Sequence, residues 1–165
     1  MIYAAAAFVL ILLAAAASDV MHYRIPNLLV LLLAGAYIVW AGTHFSQAAW
    51  LSHFGAAALF LAGGLVFYRF GQMGAGDVKL LAAVALWTGL DGALPLLLFV
   101  SLCGLLALPL ILFARFLVGR AQALKYWNER WPMPRVLTPK QGVPYGIAIA
   151  LGGIVTLALV PSAFH

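Results

Sequence analysis

The chain has 165 residues, is 66% hydrophobic and 8% charged, and has a mean hydropathy of +1.09. A soluble domain of this size needs a polar exterior that such a composition does not supply, so the chain reads as an all-α integral membrane protein. Its net charge of +5 then reports topology rather than affinity for nucleic acid. The single cysteine, Cys103, excludes a disulfide framework and a four-cysteine zinc module.

At about 20 residues per crossing, six spans use most of the chain and leave it as one membrane domain over 1–165. The first apolar run covers 2–18. It ends in small residues, but no basic stretch precedes it, so it reads as a retained span and not a cleaved signal. Asp19 follows, then a short polar loop with Arg24, Pro26 and Asn27. The second span runs from about 27 to 41, with Pro26 just before it, where a missing N–H costs little. The third covers roughly 48–68 and ends at Arg69; the loop after it leads through Gly74, Ala75 and Gly76 to Asp77. The fourth runs from about 78 to 90 and the fifth from about 93 to 114, with Pro109 expected to kink it. The sixth covers about 143–161 and opens with Pro144, Tyr145 and Gly146.

The basic residues fix an orientation. Arg24 lies in the first loop, and Arg69 and Lys79 flank the third. Arg115, Arg120, Lys125, Arg130, Arg135 and Lys140 lie in or beside the fifth. On six spans all nine fall on one side, which the positive-inside rule makes cytoplasmic, with both termini outside. Asp19 and Asp77 share that side, and Asp91 is opposite. Within the long fifth loop, Phe113, Phe116, Leu117, Ala121, Leu124, Trp127 and Trp131 share a helical arc. This suggests an amphipathic helix at about 113–131 lying in the membrane interface; an ordinary basic loop with incidental periodicity is the alternative.

The chemistry centres on the two aspartates. A carboxylate at a bilayer edge is costly unless compensated or used. Glycines at 74 and 76 let a peptide backbone approach Asp77 closely, although a helix N-cap after a glycine turn also describes these residues. Two carboxylates converging on one water hydrolyse a peptide bond without a metal, one protonated as acid and the other ionised as base. The fourth span, at ~20 Å, is short against a ~30 Å hydrocarbon core, which would sink the carboxylates into a recess. Lys79 stands two residues past Asp77, placed to act on its charge or on substrate, or simply to snorkel as a topology determinant. His22, His44 and His53 make no metal set with carboxylates or thiols, and no serine sits in a nucleophile elbow.

Gly74-Ala75-Gly76-Asp77-Val78-Lys79 resembles the G-x-G-D-x-K core of the prepilin peptidases, a family of intramembrane aspartic proteases. Asp19 through Arg24-Ile25-Pro26-Asn27 resembles the family's first-aspartate motif, and Pro144-Tyr145-Gly146 its P-[FY]-G start to the last span. The three occur in order over essentially the whole chain. The resemblance implies that Asp19 and Asp77 are the catalytic pair, that no cofactor is needed, and that prepilins or pseudopilins are the substrates. Cleavage would fall at the cytoplasmic face of the inner membrane, within a multi-pass protein embedded in lipid. Large bifunctional members carry a cytoplasmic insertion with paired cysteines, associated with N-methylation. The short first loop and lone cysteine here resemble instead the small, peptidase-only members that process Flp-type pilins; archaeal preflagellin peptidases are a second small branch. A reading outside enzymology is a small proton-coupled transporter with the two aspartates as a relay. Transport carboxylates, however, usually mark a pathway near mid-membrane.

Overall fold

The computed structural model describes residues 2–42, 47–123 and 144–159. These residues form six helices, α1 (Ile2–His22), α2 (Asn27–Ala41), α3 (Gln47–Arg69), α4 (Ala75–Thr88), α5 (Ala93–Ala123) and α6 (Tyr145–Leu159), and no strand. Length and hydropathy qualify three stretches as membrane crossings: Tyr3–His22, Trp50–Arg69 and Ala93–Arg120. α2 and α6 are apolar but shorter. Large side chains such as Leu10, Leu31, Leu106 and Leu110 are 66–70% exposed, as expected of a surface solvated by lipid tails.

α4 is the axis of the bundle. It is only 14 residues long, yet every side chain from Val78 to Thr88 except Lys79 is buried. It packs on α3, α2 and α6 and more lightly on α5, while α1 packs on α6 and α2, and α5 on α6. A helix surrounded by protein need not match the bilayer in length. In lipid, apolar burial between helices gains no hydrophobic energy, so close packing and hydrogen bonds must hold the bundle. Gly152 supplies such packing: a Cβ there would lie 2.6 Å from the backbone N of Val100, so α5 and α6 touch nearly backbone to backbone. Trp87, 2% exposed, donates from its indole N–H to the Leu33 carbonyl at 2.9 Å and stacks on Trp40 with centroids 5.7 Å apart.

The C-terminal end of α4 is stopped by Gly89, whose φ of +64° suits a residue without Cβ. Two side chains of α3 finish it. Nδ1 of the buried His53 donates to the Leu86 carbonyl at 2.8 Å, and Ser52 Oγ accepts from the Leu90 N–H at 3.0 Å. His53 therefore has a capping role at the end of the bundle opposite Asp77.

Two boundaries differ from expectation. α1 continues past the apolar run to His22, because helical hydrogen bonding continues through Asp19, whose carbonyl accepts from Tyr23 N at 2.8 Å. Asp19 thus sits inside the last turn of α1 rather than after it. α5 runs through Pro109 and on to Ala123, so residues 113–123 extend the fifth helix instead of starting a separate interfacial one. The remainder of the expected 113–131 helix, the basic residues Lys125, Arg130, Arg135 and Lys140, and His44 lie outside the described residues.

Candidate active site

Asp19 near the C-terminal end of α1 and Asp77 in the first turn of α4 open onto one cavity of about 690 Å³. Its wall is made by the two chain segments that carry them, residues 18–19 and 22–27 on one side and 74–77 on the other. Asp19 is only 6% exposed and Asp77 is half-buried. Carboxylates that share one cavity disfavour each other's ionised form.

Each carboxylate is gripped through Oδ2 by the backbone N–H of a glycine. Gly146 N donates to Asp19 Oδ2 at 2.8 Å, and Gly74 N donates to Asp77 Oδ2 at 3.2 Å. Both glycines lie at helix N-termini, Gly146 as the second residue of α6 and Gly74 as the N-cap of α4. There the unpaired N–H groups and the positive end of the macrodipole favour an anion. Asp77 is therefore not the N-cap of α4. It is the third helical residue, reaching back to the cap.

The glycines also admit close contacts. A Cβ on Gly146 would stand 2.7 Å from Asp19 Oδ2 and 3.0 Å from its Cβ, inside the space the aspartate occupies. One on Gly76 would stand 3.2 Å from Ile25 Cβ, where the α1–α2 connection leans on the start of α4. The motif glycines thus let three chain segments converge.

The remaining motif residues divide into two groups. Arg24, Pro26 and Asn27 line the cavity with the aspartates. Lys79 does not line it; its Nζ donates to Asn27 Oδ1 at 3.1 Å and ties α4 to the start of α2. Pro144 and Tyr145 line a separate, apolar cavity. Two residues not singled out from the sequence belong to the site. Ser18 Oγ donates to the Arg24 carbonyl at 2.8 Å and shapes the loop after α1. Tyr23 adopts a φ of +53° as the chain leaves α1, and its hydroxyl accepts from Arg115 of α5 at 3.3 Å. The signal available for both was their position, within a few residues of Asp19. Among the described residues no group of three or more His, Cys, Asp or Glu side chains is arranged to hold a metal ion.

Comparison with known proteins bears on this arrangement. Residues 6–119 match the sequence model of the type IV leader peptidase family. That match includes both aspartates and ends before Gly146. A prepilin leader peptidase/N-methyltransferase of Xanthomonas campestris pv. campestris is 32% identical over 148 residues, covering 86% of this chain and 45% of that protein. The chain thus spans less than half the length of this relative. No solved structure matches.

Proposed function

Because this chain belongs to the type IV leader peptidase family, we propose that it is an intramembrane aspartic endopeptidase that removes the leader of a Flp-type prepilin. The observation that carries the reading is the meeting of Asp19 and Asp77, from different helices, at one cavity, each aimed by a glycine N–H.

One carboxyl group, protonated, donates a hydrogen bond to the scissile carbonyl. The other, ionised, takes a proton from a water lying between them, and the hydroxide adds to the carbonyl carbon. The acid's proton passes to the carbonyl oxygen to give a tetrahedral diol. The diol collapses as the base returns the water's proton to the departing amine nitrogen and the other carboxylate takes a proton back from a diol hydroxyl, restoring the pair. All chemistry is carried by side chains and water.

In the proposed topology all six helices cross the inner membrane, with both termini outside and the aspartates at the cytoplasmic face. Support comes from the basic residues: Arg24 lines the catalytic cavity, Lys79 bonds Asn27 and Arg115 bonds Tyr23, all at the same end of the bundle. We assign cleavage without methyl transfer. The α1–α2 connection is confined to residues 23–26, and Cys103 sits in α5 away from the cavity. Both carboxylates map to one end of the bundle, which fits a hydrolytic site better than a relay crossing the membrane.

Co-expression of a Flp-type prepilin with wild type, Asp19→Ala, Asp77→Ala and Asp91→Ala tests the proposal. Loss of the cleaved form with the first two variants only, at equal protein levels, is expected. Processing that survives either change would sink the aspartic mechanism.

A further inference from the structure

A second cavity is larger than the catalytic one: a groove of about 870 Å³ between α3 and α5, floored by α4 and α6. Its walls are almost wholly apolar, with Leu59 and Phe67 on α3 facing Leu97 and Leu108 on α5, and small residues at Gly63 and Gly104. α3 leans on α4 while α5 leans on α6, which leaves the two outer helices apart and the groove open sideways to lipid.

At two independent places the lining of the groove is adjacent along the chain to a glycine that holds one of the aspartates. Gln72 and Met73 line the groove, and the next residue, Gly74, caps Asp77 and lines the catalytic cavity. Pro144 and Tyr145 line the groove, and the next residue, Gly146, holds Asp19. The walls of the groove therefore turn directly into the two glycines that aim the aspartates.

The chemistry of the occupant follows from the lining. From Leu94 to Leu108 the α5 wall extends about 21 Å, the length of four turns of helix. A segment lying at this depth in a bilayer must satisfy its own backbone, hence be helical, and must be apolar to suit these walls. Polarity enters the groove at the end beside the aspartates, where Gln72 and Tyr145 lie. Ser101, further along, already bonds the Leu97 carbonyl at 2.7 Å and contributes little. A helix must unwind before its peptide bond is hydrolysed, and the unpaired N–H and C=O groups then need polar partners. Gln72 and Tyr145 stand at the end where unwinding would occur.

We propose that the α3–α5 groove holds the apolar helical segment of the protein substrate adjoining the scissile bond, admitted sideways from the lipid. The inference rests on the peptidase reading above.

It is tested with a prepilin whose apolar segment carries single cysteines, co-expressed with an Asp77→Asn enzyme in a Cys103→Ala background. Ser101→Cys, facing the groove, should crosslink to that segment, whereas Leu31→Cys, on the outer face of α2, should not. In the cleavage-competent enzyme, Ser101→Trp fills the groove and should slow processing by about tenfold or more, while Leu106→Trp, on the lipid side of α5, should leave it unchanged. Crosslinking from Leu31→Cys instead of Ser101→Cys, crosslinks joining two enzyme copies through Ser101→Cys, or normal processing by Ser101→Trp would each overturn the proposal. If Ser101→Trp fails to accumulate, the crosslinking pair decides alone. Wild type that cleaves no prepilin at all is a different outcome: it removes the peptidase reading and the inference with it.

Discussion

Gly146 and Asp19 are 127 positions apart in the chain and are joined by a 2.8 Å hydrogen bond from the glycine N–H to the buried carboxylate. The bond exists because the N-terminus of α6 needs an acceptor and the last turn of α1 presents one. It makes α6 part of the architecture of the proposed active site, although its first residues are far from either aspartate in sequence. Gly146→Ala places a methyl group 2.7 Å from Oδ2 and forces the carboxylate aside. Misplacement by about an ångström costs on the order of a hundredfold in rate, so processing should fall by that much while the protein still accumulates. Normal processing by Gly146→Ala would show that Asp19 needs no such support.

The Lys79–Asn27 bond is exposed and makes a modest contribution. Lys79→Met and Asn27→Ala should each reduce processing by about fivefold or less, the worth of one net hydrogen bond. Because the two residues act through one contact, the double variant should be no worse than either single one. Additive losses would mean that Lys79 has a separate role toward substrate.

Gly152 touches the Val100 backbone, which cannot step aside as a flexible side chain can. Gly152→Ala should therefore lower stability by about 1–3 kcal/mol, read as earlier thermal unfolding in detergent. Gly63→Ala is the control, since a Cβ there meets nothing within 4 Å. Equal stability of the two variants would contradict the close α5–α6 crossing.

At the other end of the bundle, His53 caps the Leu86 carbonyl from a buried position. His53→Phe leaves that carbonyl without its partner and should cost about 1–3 kcal/mol of stability. Prepilin processing at low growth temperature should be retained, because the residue is remote from the aspartates. A variant that is stable but inactive would assign His53 to function instead.

Much of this protein was written in its residue order. Composition placed it in a membrane, and Gly74, Gly76 and Asp77 marked a loop that presents a carboxylate. Asp19 with Arg24, Pro26 and Asn27 marked the partner segment, since charge and proline are conspicuous in a chain with so few polar residues. Other features were decided only by the tertiary structure. Every face of these helices is apolar, so the helical period does not distinguish the side turned to lipid from the side turned to protein. That α4 is the enclosed axis, that α3 and α5 stand apart over a groove, and that α1 carries Asp19 inside its last turn follow from packing. The pairing of Gly146 with Asp19 depends on two helix ends meeting in space, a relation that spacing along the chain does not encode.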